Sequence, residues 1–257
     1  MQSETTGSGQ PIVLVPGGLT GWLSWEPHAK ILSKNYKVTR VQLLAVQWGL
    51  DNLPIPGDYS VSYEVAALKS TLDNLGINQA DFVAWSYGAA VTLSFALANP
   101  ERIRSLTLIE PPAIWVLASH GPLPEYLNKD RQQIATLTGD ISEEQLVWFT
   151  HFAGFVPEAV DPRSLPQWPL WNQHRQSLRT GDVVFQHQDD IEKVRHFDRP
   201  VLLFKGTGSS KFLHDIIDSL ATAFPKAEVH ELAGGHAPQI AEKDRFLDIL
   251  GAFIRDA

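Results

Sequence analysis

The stretch DFVAWSYGAA, residues 81–90, sets a hydroxyl between two aromatic side chains where an apolar run gives way to very small residues. Residues 81–85 read as a short buried strand. The small, apolar residues 87–98 read as a helix that stops at the breaker Asn99-Pro100. Ser86 therefore stands on the turn between them, and a serine there has two readings. It is a good helix N-cap, because its side-chain oxygen accepts a backbone N–H. It is equally what a nucleophile on a tight strand-to-helix turn requires. Such a turn needs small residues two before and two after the serine, because the strand and helix backbones nearly touch there. Ala84, Gly88 and Ala89 meet that need, which a simple cap would not impose.

Outward from this turn, the runs PIVLVP (11–16), KVTRVQLL (37–44), SLTLIE (105–110), PVLLFK (200–205) and AEVHEL (227–232) predict five more buried strands. Most are near-continuous in Val, Ile and Leu, as in parallel strands covered on both faces. Helical stripes lie between them. Val61, Val65, Leu68, Leu72 and Leu75 recur at spacings of three and four before Gly76. Phe212, Ile216, Ile217, Leu220 and Phe224 form a second stripe, and Phe246, Ile249, Leu250 and Phe253 a third. Strand alternating with helix predicts the α/β class, with a doubly wound, mainly parallel sheet and ligands outside the carboxyl ends of its strands. Residues 112–198 hold no convincing strand and are too many for a structureless loop. Ser142-Glu143-Glu144-Gln145 is a capping-box pattern opening a helix to about Gly154, and 122–137 and 167–179 predict further helices. The expected organisation is a core of residues 1–111 and 199–257 with a helical insertion at 112–198.

Composition narrows the partners. A formal net charge of −8 argues against a phosphate-binding surface and hence against nucleic acid. With no cysteine there is neither disulfide framework nor thiolate chemistry, and the nine histidines form no metal-ligating pair, so no metal or cofactor is expected. GTGSS (206–210) lacks the lysine of a phosphate loop. The opening MQSETTGSGQ has no basic segment followed by an apolar one, and no apolar run approaches membrane-span length. A cytoplasmic protein with a small-molecule partner is the expectation; the oligomeric state is left open.

A nucleophilic serine needs a base. ELAGGHAPQ (231–239) puts His236 behind a double glycine, after the final strand and before the final helix. A surface-loop histidine is the plain alternative, but this position and the order serine-then-histidine favour the base. Two carboxylates compete for the third role. Glu110 closes the strand after Ser86, and a glutamate ending a buried strand is costly unless paired. Asp215 is the reserve, in a stretch that looks helical. LVPGGLTGWLSW (14–25) supplies Gly17 and Gly18 straight after the first strand, so the N–H groups of Gly18 and Tyr87 are candidate oxyanion donors.

Together, the PGG turn with Trp25 beyond it, the AWSYG elbow, Glu110 and GGHAPQ resemble the α/β-hydrolase superfamily over nearly the whole chain. The resemblance implies a Ser86–His236–Glu110 triad, an oxyanion hole from Gly18 and Tyr87, and a helical cap. It also implies that the N-terminal antiparallel strands of larger members are missing. Two departures stand out: Pro16 replaces the histidine many members carry, and the usual acid slot near Ser209 is empty. Glu110 instead occupies the position used by haloalkane dehalogenases and some lactonases. The activity this implies is hydrolysis of an ester or lactone through an acyl-enzyme on Ser86. Carbon–carbon hydrolysis, thioester hydrolysis, a cofactor-free hydroxynitrile-type lyase and a non-catalytic ligand-binding member are the alternatives. The insertion is rich in aromatics, among them Trp115, Trp148, Phe149, Phe152, Phe155, Trp168 and Trp171. Trp85, Trp115, Trp148 and Phe152 are the expected lining of an apolar pocket, and Lys205, Arg175 or Arg179 the source of a single cation if one is used.

Overall fold

The apolar runs all enter one sheet. The computed structural model describes residues 1–257 and places seven strands: β1 (Ser3–Thr6), β2 (Pro11–Val15), β3 (Lys37–Val41), β4 (Ala80–Trp85), β5 (Ile103–Ile109), β6 (Val201–Gly206) and β7 (Ala227–Leu232). Their order is β1-β3-β2-β4-β5-β6-β7, and every pair is parallel except β1 with β3. Strand order reverses between β2 and β4. The turns carrying Gly17-Gly18 and Ser86 leave those two strands, so both open at the switch point where α/β sheets bind ligands.

Two strands differ from expectation. β1 carries the sequence SETT, with no apolar run to signal it. It pairs with β3 through its backbone and through a 2.9 Å bond between Thr5 Oγ1 and Thr39 Oγ1, so one antiparallel edge strand is present after all. β7 is the opposite edge rather than a buried strand. Glu228, Val229 and Glu231 are exposed, because only β6 flanks it. Charged residues on an open edge also oppose pairing with another chain. By contrast every residue of β4 is buried.

Helices cover both faces. Val61–Asn74, Tyr87–Ala98 and Lys211–Ala223 pack on one, around Leu68, Val91, Phe95 and Ile216. Glu26–Leu32 and Lys243–Asp256 pack on the other, around Trp25, Trp85, Phe246 and Leu250. The first of these helices is capped by Ser60, whose hydroxyl accepts from the Tyr63 N–H, and stops before Gly76 at φ +67°. No helix is long and apolar enough to cross a membrane.

From Ile114 to Arg195 every regular element is helical. The capping box forms: Ser142 Oγ accepts from the Gln145 N–H, the Gln145 side chain accepts from the Ser142 N–H, and Glu143–Phe152 follows. The other expected helices are shorter than their patterns, at Glu125–Ile134 and Trp168–His174, the latter continued by a 3-10 turn over Arg175–Leu178. This segment has a small core of its own, in which Ile141, Leu146, Trp171 and Leu178 close around Leu19 from the loop after β2. This packing helps seat the insertion over the switch point.

A buried histidine ties the far face together. His28 is 1% exposed, with its ring edge-on to Trp25 at 5.0 Å and to Phe246 at 5.6 Å. Its Nε2 lies 2.9 Å from the Gln239 carbonyl, which can only accept, so Nε2 carries the proton and Nδ1 is bare and unpartnered. Burial holds its pKa below 6.5, against the opposing pull of that bond, and burial lowers His174 likewise. Between its folded value and 6.5 the unfolded chain binds a proton that the folded chain refuses. Unfolding free energy should therefore fall as pH drops below about 6.5. Urea denaturation from pH 8 to 5 should show that slope reduced in His28→Gln; an unchanged slope would count against it.

One close backbone approach lies under the serine turn, where a Cβ on Gly88 would collide with the Pro16 carbonyl. Gly88→Ala should lose about 1–3 kcal/mol in the same denaturation assay, the range of overpacked cores. A variant as stable as wild type would show that β2 and the helix can separate without cost.

Candidate active site

Ser86 adopts φ 53°, ψ −127°, a backbone conformation that residues other than glycine rarely occupy. Strain of this kind is worth of order 1–3 kcal/mol and persists only where surroundings enforce it. Here the Ser86 N–H donates to the Ile109 carbonyl at 2.9 Å, while its own carbonyl accepts from Ala89 and Ala90 at the helix start. Its side chain makes no capping bond. The hydroxyl is thus lifted off the helix and turned elsewhere, which separates the two readings of the sequence.

It turns to His236. Ser86 Oγ lies 2.7 Å from His236 Nε2, and His236 Nδ1 lies 2.6 Å from Glu110 Oε2. A carboxylate accepts, so Nδ1 carries the imidazole proton and Nε2 is free to accept from the serine hydroxyl. Glu110 is fully buried and itself has positive φ, 46°. Its second oxygen accepts from the Gly206 N–H at 2.7 Å. The loop with no acid near Ser209 therefore serves as a donor to the acid one strand away. Asp215 stands apart on the helix Lys211–Ala223, ion-paired with Lys211.

The histidine loop is held from three sides. The His236 N–H donates to the Gly154 carbonyl at 2.9 Å, its carbonyl accepts from Trp85 Nε1 at 2.6 Å, and the edge of Phe155 meets the ring at 4.9 Å. Gly235 is needed for the first contact, since a Cβ there would run into Gly154. Nothing in the sequence marks the 154–155 contact beyond Phe155 being one aromatic among several.

The N–H of Tyr87 opens its helix, and neither it nor that of Gly18 is engaged by the carbonyls of surrounding turns and loops. The two residues adjoin, with Gly18 facing the Tyr87 ring. The phenol points the other way. Tyr59 donates to Glu64 at 2.8 Å, so the 2.9 Å contact between the two phenols is a bond from Tyr87 to Tyr59. Glu64, fully buried, also accepts from the N–H groups of Leu44 and Ala45. Burial pushes the pKa of Glu64 up and those of both phenols far up, so the phenols stay neutral. With its proton committed to Tyr59, Tyr87 offers the cavity only a backbone N–H and a ring. No local pattern marks this hydrogen-bond chain, in which Tyr87 lies 28 residues from Tyr59.

A cavity opens over Ser86 and His236. Gly17, Gly18, Trp85 and Tyr87 border its floor, and Phe149, Phe152 and Phe155 come from the insertion. Phe212 and Leu213 reach it from the helix after β6. No Lys, Arg, Asp or Glu lines it. Of the four aromatics expected there, Trp85 and Phe152 are in the lining. Trp148 stacks behind Phe152 at 5.0 Å, and Trp115 is buried in the main core. Helix phase decides this: Phe149 and Phe152, three apart, share the inward face that Trp148 misses. Lys205 pairs with Asp218, and Arg175 bonds the carbonyls of Ile141 and Asn172, so neither supplies the cavity with charge.

The model of the alpha/beta hydrolase family matches residues 12–249. Among characterised relatives, the chain is 32% identical to a pimeloyl-[acyl-carrier protein] methyl ester esterase of Methylococcus capsulatus, covering 98% of this chain and 97% of that one. It is 36% identical to a 2-hydroxy-6-oxo-2,4-heptadienoate hydrolase of Pseudomonas putida, but over 40% of this chain and only 38% of that protein's length. The solved enol-lactonase of Burkholderia xenovorans superposes with a TM-score of 0.78 at 17% identity, over 99% of this chain and 96% of that one, a likeness of fold. With the family model spanning all but the chain's extremities and a relative this similar along its length, the chain belongs to the alpha/beta hydrolase family.

Proposed function

We propose that the protein is a serine hydrolase that cleaves an apolar or aromatic carboxylic ester or lactone through an acyl-enzyme on Ser86. The observation that carries this reading is the unbroken hydrogen-bond chain from Ser86 through His236 to buried Glu110. His236 Nε2 takes the hydroxyl proton as Ser86 Oγ attacks the carbonyl carbon. The imidazolium that results is stabilised by the Glu110 carboxylate, whose geometry is already fixed by Gly206. The developing oxyanion is met by the N–H groups of Gly18 and Tyr87, donors each worth ~10²–10³ in rate where measured. The leaving alcohol takes the proton from His236, and water, activated by the same nitrogen, releases the acid.

The apolar cavity favours a neutral group next to the scissile bond. Full-length similarity to an ester hydrolase supports the choice of ester. Carbon–carbon hydrolysis is the second reading, favoured by the partial match to a heptadienoate hydrolase; it needs the same proton acceptor but a ketone substrate.

Labelling with a fluorophosphonate, read by intact mass, tests the activated serine before any substrate is known. One adduct on wild type and none on Ser86→Ala is expected; no adduct on folded wild type would overturn the reading. On an ester and lactone panel, Ser86→Ala and His236→Ala should each lose ~10⁴-fold or more in kcat. Glu110→Gln should lose ~10³–10⁴-fold, with Asp215→Asn near wild type. The reverse pattern for the two acids would assign the orienting role to Asp215.

A further inference from the structure

We propose that the groove beside the catalytic cavity is a second subsite, which holds a carboxylate at the far end of an amphiphilic substrate; this rests on the acyl-transfer reading of Ser86. Cavity and groove are two sides of one wall. Ile134, Leu137 and Val184 line the cavity, and their chain neighbours Ala135, Thr138 and Val183 line the groove. Only Thr180 and Gly181 border both. The division therefore thins to one small side chain and one residue with none, and Gly181 sits at φ +59°, where a larger residue would be strained. In this proposal a chain too long for the cavity leaves past Thr180 and Gly181 into the groove, which residues 54–57 also line.

The charges differ across the wall. The cavity offers no cation, so an ionic group buried there would be unmatched. In the groove, Asp182 is already neutralised: Arg131 Nε lies 2.9 Å from one carboxylate oxygen and Gln186 donates to the other at 2.6 Å. Arg179 has no such partner. Its Nε donates to the Gln176 carbonyl at 3.0 Å, and one Nη donates to the carbonyls of Trp48 and Leu53 at 3.2 and 2.7 Å. Three neutral acceptors fix the guanidinium without cancelling its charge, and the other Nη donates to no protein group. A half-buried guanidinium held in advance is suited to a carboxylate, through a charge-assisted bond that loses little side-chain freedom. The substrate class that follows is an ester with an apolar middle and one distal carboxylate.

The test compares kcat/KM for carboxylate-ended esters with that for their neutral carboxamide-ended analogues. One series takes p-nitrophenyl monoesters of straight-chain dicarboxylic acids of graded length, which puts the carboxylate on the acyl side. The other takes acetate esters of ω-hydroxy acids, which puts it on the alcohol side. In one series, at one length, the anionic member should exceed its neutral analogue by roughly tenfold, mostly through KM. Arg179→Gln should bring that ratio towards one, Arg179→Lys should restore part of it, and about 0.5 M salt should shrink it. A ratio of one or less at every length in both series, or a preference that Arg179→Gln leaves intact, overturns the subsite. Turnover of the neutral esters would in that case keep the Ser86 reading. Folded wild type that neither turns over esters nor takes the fluorophosphonate removes that reading, and the subsite with it.

Discussion

The carboxylate of Glu110 is the constraint on which the site depends. It directly follows β5, accepts the N–H of Gly206 from the end of β6, and accepts a hydrogen bond from His236 Nδ1 in the loop after β7. One buried anion thus joins the carboxyl ends of three adjacent strands. A carboxylate taken out of water costs several kcal/mol unless its oxygens are satisfied. Satisfying them requires the exact register that brings Gly206 and His236 to it. The same requirement explains the left-handed backbone at Glu110: an extended residue there would continue the strand and leave the carboxylate short of its partners.

On the other side of the histidine the demand is for closeness. Ser86 is held in a strained conformation by the meeting of β2, β4 and the helix behind it, and Gly88 lets that meeting happen. Behind the turn, Glu64 gathers two backbone donors at the start of the helix Leu44–Leu50 and orients Tyr59, which in turn takes the proton of Tyr87. Tyr87, the residue after Ser86, is therefore fixed at both ends, by its helix and by its phenol. Two buried carboxyl groups thus support the turn, Glu110 through its bond to His236 and Glu64 through Tyr59 to the ring of Tyr87.

Much of this was legible because it rests on local chemistry. Small residues around Ser86, the double glycine before His236 and the apolar strands each leave a mark within a few positions. Glu110 was legible from an inconsistency, a charge at the end of a run with no business carrying one. What escaped has no local mark. β1 is held by its backbone and hydroxyls, so its sequence is that of any polar segment. Tyr59 and Glu64 meet Tyr87 across some twenty residues or more, and the grip of Gly154 on the histidine loop spans over eighty. The cavity aromatics were half legible: the insertion's composition announced an apolar lining, but helix phase chose Phe149 over Trp148, and Trp115 went to the core.

That grip on the histidine loop bears on how such a protein can change over time. The carbonyl of Gly154 belongs to the helical segment, yet it accepts the N–H of His236 in the strand-and-helix core. The segment is therefore a support of the His236 loop and not merely a roof over the cavity. Exchanging it wholesale for a helical segment from another member would release the His236 loop unless the graft returned a carbonyl to the same point in space and left Gly235 room to approach. Away from residues 154–155 the same constraint does not apply, and helices there can slide, lengthen or be replaced while the histidine keeps its hold.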